Sequence, residues 1–334
     1  MMPSMRSFLL AAHPRGRAMR DDDFRLVETE RPVAGPDQVL LKLRWLGFDP
    51  AQKGWMENFA DYVAPMHIGD VMRAHGIGEV VESHVETLPI GTLVEGMMGW
   101  AEYMAVGPEG LTPVEPTLPP TAMLSLLGLT GLTAWHGLFE LGKPRVGDVV
   151  LVSGAAGATG SVVGQLAKIA GCHVVGIAGG AEKCRWLTEH AGFDAALDYK
   201  SGDFKQSLRA AVPAGADVVY DNVGGPTLDA MLGVIATGAR VVICGAISRY
   251  ETGGRPAGPS NYFNVVLRRA TMAGFVVLDH TANFPRMRAR LTELAKAGRI
   301  VWQIDEQRGF ENAPATLRRV FAGENKGKQI LRVS

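Results

Sequence analysis

The segment Asp148–Ser153, DVVLVS, runs straight into GAAGATG and then into Ser161–Ala170, SVVGQLAKIA. A nearly unbroken apolar run is what a parallel strand covered on both faces needs. The stretch after the glycines places Val162, Val163, Leu166 and Ile169 on one side of a helix. A strand that turns on glycine into an amphipathic helix is half of a β-α-β unit, and it confines this part of the chain to a layered α/β fold.

The glycines stand at Gly154, Gly157 and Gly160, spaced G-x-x-G-x-x-G. Taken from Ala155, the turn becomes A-x-G-x-x-G, the dinucleotide fingerprint with alanine in the first glycine position. Gly157 then lets backbone approach a pyrophosphate, and Gly160 lets the helix pack close to its strand. The helix start around Thr159 offers unpaired N–H groups and a positive dipole end to phosphate. A tight turn with no ligand is the plain alternative; the strand before and the helix after favour binding.

The alternation continues through the second half of the chain. Strands are predicted at His173–Ala178, Ala195–Asp198, Asp217–Asp221, Arg240–Cys244 and Thr271–Val277. Helices are predicted at Glu182–Ala191, Phe204–Ala211, Leu228–Ile235 and Phe284–Gly298. The expected result is a doubly wound parallel sheet over residues 123–303. Before residue 122 the texture differs. Short strand-like runs at Val39–Trp45, Gly78–Glu82, Leu93–Gly96 and Tyr103–Val106 alternate with Pro and Gly, as in an antiparallel, barrel-like β domain. Five prolines between Pro108 and Pro120 mark the crossing. The strand-like tail Gln329–Val333 is expected to return to this first domain, making it residues 1–122 with 304–334.

Bulk composition excludes several classes. Lys+Arg and Asp+Glu are equal at 34 each, so no global charge draws the chain to nucleic acid or to an anionic membrane. No apolar run approaches the ~18 residues of a membrane span, and Phe8–Ala12 is too short for a signal-peptide core. Cys172, Cys184 and Cys244 form no C-x-x-C pair. A soluble, cytoplasmic protein is the expectation. The first 122 residues hold no cysteine, and His67, His75 and His84 are scattered, so surface or packing roles are expected for them and no metal.

The end of the second strand bears on which dinucleotide is bound. An NAD site places Asp or Glu there, ~20 residues after the turn, on the ribose 2′-OH. Here the strand ends Ile177-Ala-Gly179-Gly180, with no acid. Lys183 follows and can pair with a 2′-phosphate, and Tyr199 can donate to the same group. A charge-assisted bond of about 1.5–3 kcal/mol corresponds to roughly ten- to a hundred-fold in affinity. The plain reading of Lys183 is a solvated helix residue, and Glu182 beside it weakens the site unless it turns away. The missing acid favours NADPH.

A series of short blocks resembles one family in order along most of the chain. Asp49-Pro50 with Gly54-x-Met56, His67–Met72, Gly76–Ser83, Gly99–Tyr103, Gly131–Ala134 and Gly142–Pro144 precede the glycine turn. Asp221–Gly225, Cys244-Gly245-Ala-Ile247-Ser248, Asn261-Tyr262, Gly274-Phe275 and Gly323-x-Asn325-x-Gly327-Lys328 follow it. Together they resemble the zinc-independent medium-chain dehydrogenases/reductases. The likeness is strongest to the leukotriene B4 dehydrogenase group of prostaglandin, alkenal and curcumin double-bond reductases. The resemblance implies a GroES-like catalytic domain beside a Rossmann NADPH domain, and a homodimer. It implies cofactor contacts at Thr133, Ala155, Gly157, Thr159, Gly160 and Gly179, and at Lys183 and Tyr199 for the 2′-phosphate. Asn222, Cys244, Gly245, Ile247, Ser248 and Asn325 would contact the remainder of the cofactor, with Tyr262 beside the nicotinamide ribose. A helix-starting hydroxyl explains Thr133 equally well. Three positions depart from the group: Gly180 and Gly47 where serine is common, and Ala51 where the D-P-Y-M segment has tyrosine.

The resemblance implies hydride transfer from NADPH to the activated C=C bond of an α,β-unsaturated ketone or aldehyde, a reaction whose enolate needs hydrogen bonds and then a proton. Tyr262 fits both an acid role and a purely positioning one. Tyr62 is the second catalytic candidate, and a half-buried aromatic in a cleft wall is its plain reading. A quinone reductase on the same fold and a non-catalytic NADPH-binding protein remain as alternatives. The physiological substrate stays unnamed.

Overall fold

The computed structural model describes residues 3–251 and 257–333. The chain divides into two compact units, Met1–Leu124 with Ile304–Ser334, and Ser125–Gln303.

The first unit opens with β1 (Ser4–Leu10) and β2 (Phe24–Glu30), an antiparallel pair forming its own two-stranded sheet. There follow β3 (Val39–Phe48), α1 (Ala51–Glu57), β4 (Arg73–Ser83), β5 (Leu93–Gly99), β6 (Tyr103–Val106) and β7 (Thr112–Pro113). Trp100, fully buried, stacks on Phe24 at 5.5 Å and meets Phe8 and Phe48 edge-on at 6.1 and 5.2 Å. These rings bind the small sheet to β3, and their burial is what the apolar strand positions were expected to supply. Nearby, Arg17 grips the buried carboxylate of Asp23.

The second unit holds α2 (Leu129–His136), β8 (Val149–Ser153), α3 (Ala158–Ile169), β9 (His173–Ala178), α4 (Ala181–Glu189), β10 (Ala195–Asp198), α5 (Phe204–Ala211) and β11 (Ala216–Asp221). It continues with α6 (Gly225–Leu232), β12 (Ile235–Ile243), α7 (Asn264–Leu267), β13 (Thr271–Gly274) and α8 (Phe284–Lys296). Its six strands are ordered β10-β9-β8-β11-β12-β13, and every pair is parallel. The order reverses between β8 and β11, which is where an open α/β sheet leaves a crevice outside its strand ends. Two predicted elements shift. Pro226 in the first turn of α6 presets helical φ, so the helix starts at Gly225 and stops at Gly233; β12 then begins at Ile235 rather than Arg240. β13 ends at Gly274, and a 3₁₀ turn covers Val277–Asn283.

The chain returns to the first unit through β14 (Ile304–Arg308), α9 (Ala313–Ala322) and β15 (Lys328–Arg332). The larger sheet there runs β14-β15-β3-β4-β5-β7, with β6 also on β3, and only β14–β15 is parallel.

Two consequences are measurable. A Cβ on Gly164 of α3 would fall 1.9 Å from Cζ of Phe193, so Gly164→Ala should overpack this contact. The expected loss is about 1–3 kcal/mol, seen as a lower urea midpoint at unchanged m-value. The carboxyl of Asp23 is raised by burial but lowered further by the bonds from Arg17 and the Arg20 N–H, and ends below the usual carboxylate range. A lowered native pKa gives stability that is present above the unfolded value of about 3.9 and is lost as pH falls through the native one. The acid limb of a stability–pH curve should therefore be shallower in Asp23→Asn than in the native protein.

Candidate active site

β8 ends at Ser153, and the chain turns through Gly154, at φ +58°, into α3. Gly157 caps α3 with extended backbone, and no side chain fills the cap. The N–H groups of Ala158, Thr159 and Gly160 therefore have no intrahelical acceptor and sit at the positive end of the helix dipole. A Cβ on Gly160 would lie 2.4 Å from the carbonyl oxygen of Gly154, so only glycine permits this approach of helix to turn. The Ala155 N–H donates to the Ile177 carbonyl at 3.0 Å, fixing the turn to the end of β9.

A buried carboxylate holds the other wall. Asp221, at the end of β11, accepts the Ser153 hydroxyl at 2.6 Å and the N–H groups of Val223 and Gly224 at 3.1 and 2.9 Å. Asn222 donates its N–H to Ser153 Oγ at 2.9 Å and its side-chain amide to the Ser153 carbonyl at 2.7 Å. Burial pushes the Asp221 carboxyl above its usual range, and these bonds offset part of the rise. The N–H groups of Cys244 and Gly245 donate to the Asp221 carbonyl, that of Ile247 to Asn222, and that of Ser248 to Val223. Tyr220 donates to the Thr133 carbonyl at 3.0 Å, seating α2 over β11. Thr133, the glycine turn, Asn222 and Cys244–Ser248 thus gather at the ends of β8, β11 and β12. Asn222 was legible as part of a motif; the Ser153–Asp221 bond beneath it was not, because the partners are far apart in sequence.

The end of β9 forms a second cluster. Gly180, at φ +93° and ψ 147°, caps α4, a backbone state that strains serine or any other L-residue. Asp198 accepts the N–H groups of Gly180 and Lys200, both at 3.0 Å, and these two bonds lower its pKa. The Tyr199 ring lies against Gly179, where a Cβ would fall 2.9 Å from its Cε1. Lys200 Nζ stands 5.9 Å from the centre of the same ring. Lys183 is half-buried in the first turn of α4. Lys200 was passed over in sequence because a lysine after a strand reads as solvated; only the packing of Tyr199 on Gly179 draws it to this turn.

Three candidates remain. Tyr262 is 65% exposed. Its neighbours pin the segment to α6: Ser260 bonds the Asp229 carboxylate, Asn261 the Asp229 carbonyl and Asn264 the Leu232 carbonyl. Tyr62 and Asn325 belong to the first unit; Tyr62 is 42% exposed and Asn325 bonds the Gly327 carbonyl at 2.8 Å. Among the described residues no three His, Cys, Asp or Glu side chains converge on a metal-sized site. His67 is exposed beside Asp70, and His84 bonds the Gly35 carbonyl at 2.8 Å.

An uncapped helix start, glycines where a phosphate needs backbone contact, and lysines at an acid-free strand end suit a phosphorylated dinucleotide. Residues 6–114 match the family described as N-terminal domain of oxidoreductase, and residues 158–300 the family described as zinc-binding dehydrogenase. The chain is 36% identical to the NADPH-dependent curcumin reductase of Escherichia coli, over 98% of this chain and 97% of that protein. It is also 36% identical to the NADP(+)-dependent 2-alkenal reductase of Nicotiana tabacum, over 90% and 88% of the two. The crystal structure of CurA from Vibrio vulnificus in complex with NADPH superposes with a TM-score of 0.93 at 33% identity, covering 98% of this chain and 99% of that one. The chain belongs to the medium-chain dehydrogenases/reductases, in the zinc-independent group that contains the curcumin, alkenal and prostaglandin reductases.

Proposed function

We propose that this protein is an NADPH-dependent reductase of the activated C=C bond of α,β-unsaturated ketones or aldehydes. The observation that carries the reading is the pairing of an uncapped α3 N-terminus at the strand-order reversal with a lysine-flanked β9 end that lacks an acid. The curcumin and alkenal reductases to which the chain is similar support the choice of reaction. When bound, NADPH supplies the hydride that the β-carbon of the substrate receives.

The chain's own residues divide the work of binding. The N–H groups of Ala158, Thr159 and Gly160 hold pyrophosphate oxygens, and Gly157 keeps the approach clear. Lys183, Tyr199 and Lys200 hold the 2′-phosphate, with Asp198 positioning Gly180 and Lys200 through its two backbone bonds. Thr133, Asn222 and the Cys244–Ser248 loop, braced by Asp221, form the wall for the nicotinamide-ribose half. Asn325 and Tyr262 are assigned by resemblance, Tyr262 in an acid or a positioning role, and Tyr62 is the second catalytic candidate. The three cysteines, none in a disulfide, fit a reducing cytoplasm. A homodimer through β13 is supported by its edge position and by the exposed Val266, Leu267 and Met272 beside it; a monomer in sedimentation removes that arm.

Following NADPH oxidation with a panel of enones and enals and a panel of quinones tests the reaction. Turnover confined to enones and enals is expected; quinone turnover alone assigns the chain to quinone reduction, and tight NADPH binding with neither leaves a binding protein. Lys183→Ala should raise KM for NADPH about ten- to a hundred-fold and leave KM for NADH nearly unchanged. Equal effects on the two cofactors remove Lys183 from the 2′-phosphate.

A further inference from the structure

Tyr220 lies on β11 in the interior of the parallel sheet, level with Val152 of β8 and Val242 of β12. It is fully buried, as are the apolar side chains of Val218 and Val219 before it. Packing alone does not ask for a hydroxyl at this depth, and a buried phenol needs a partner for its O–H.

The hydroxyl has two partners, from elements far apart in sequence. It donates to the Thr133 carbonyl of α2 at 3.0 Å, a group that also takes the Gly137 N–H at the end of the helix. With its one proton spent there, its oxygen is left to accept the thiol of Cys244, with which it shares a side-chain hydrogen bond. Gly137 makes room for this junction. A Cβ there would fall 2.6 Å from the Tyr220 hydroxyl and 2.8 Å from Cζ of Phe275, so a side chain would push the phenol off the α2 backbone.

Asp221, the next residue, holds the N–H groups of Cys244 and Gly245 on its backbone carbonyl. Two consecutive residues of β11 therefore grip the loop after β12, one by backbone and one by side chain. Of the two, Tyr220 also reaches α2. Its hydroxyl is thus the point at which the Thr133 wall and the Cys244–Ser248 wall are tied to each other.

We propose that Tyr220 is a positioning residue for the nicotinamide-ribose half of the cofactor, its hydroxyl fixing the separation of Thr133 and Cys244. The proposal rests on the reading of those two walls as that half of an NADPH site. Bonds formed before the ligand arrives spare it the cost of ordering the walls, and the saving appears as affinity. The adenosine half is assigned to other groups, Lys183, Tyr199 and Lys200, and should not sense the hydroxyl.

Calorimetric titration of the full chain with NADP+ and with adenosine 2′,5′-bisphosphate, which carries the adenosine half alone, separates the two halves. Tyr220→Phe should weaken NADP+ about ten-fold and leave the bisphosphate nearly unchanged. Gly137→Ala should give the same split by displacing the hydroxyl instead of removing it; if that variant does not fold, Tyr220→Phe decides alone. A merely structural hydroxyl would lower the thermal midpoint yet move both ligands together or neither. Equal weakening of the two, or NADP+ bound as tightly as before, therefore overturns the proposal. Native protein that binds neither ligand removes the NADPH reading, and this proposal with it.

Discussion

The cofactor side of this molecule depends on one buried carboxylate. Asp221 has no ion-pair partner among the described residues, yet it ties the end of β11 to β8 through Ser153 and gathers the backbone of Val223 and Gly224. Its backbone carbonyl receives the chain after β12. A charge buried on hydrogen bonds alone tolerates little displacement, because each lost bond leaves it closer to bare. The strand ends are therefore stiff where a dinucleotide needs a fixed surface, and the floor beneath Asn222 is set before any ligand arrives.

The N-terminal unit follows a different logic. Its aromatic core around Trp100 is ordinary packing, while beside Gly47 the side chain of Lys328, paired with Asp49, and the Gln52 amide, bonded to the Gly47 carbonyl, bring polar groups against the sheet. The division matches the sequence, where the nucleotide half keeps its group's pattern and the other half departs from it.

What the sequence made legible follows from the range of the interactions. The β8–turn–α3 unit is encoded within a few dozen neighbouring residues, so the parallel sheet and the phosphate-binding turn could be read directly. α2 could not: Leu129–His136 carries two threonines and a glycine, which favour helix weakly, and it is helical because its buried face packs on α3. β1 and β2 were missed because their pairing spans an intervening loop. The hydrogen-bonded His75–Glu95 pair of β4 and β5 needs strand register, which histidine spacing does not reveal.

The cysteines carry a consequence of another kind. Enones and enals are electrophiles that alkylate thiolates by conjugate addition. Burial pushes Cys172 up to about 11 and Cys244 up to about 12, and raises Cys184 as well. Since the thiolate is the reactive form, all three sulfurs stay overwhelmingly as thiols at neutral pH. Cys172 and Cys244, the two with the largest rise, should therefore be alkylated more slowly by an enone than an ordinary thiol, which mass spectrometry over a time course of exposure would show.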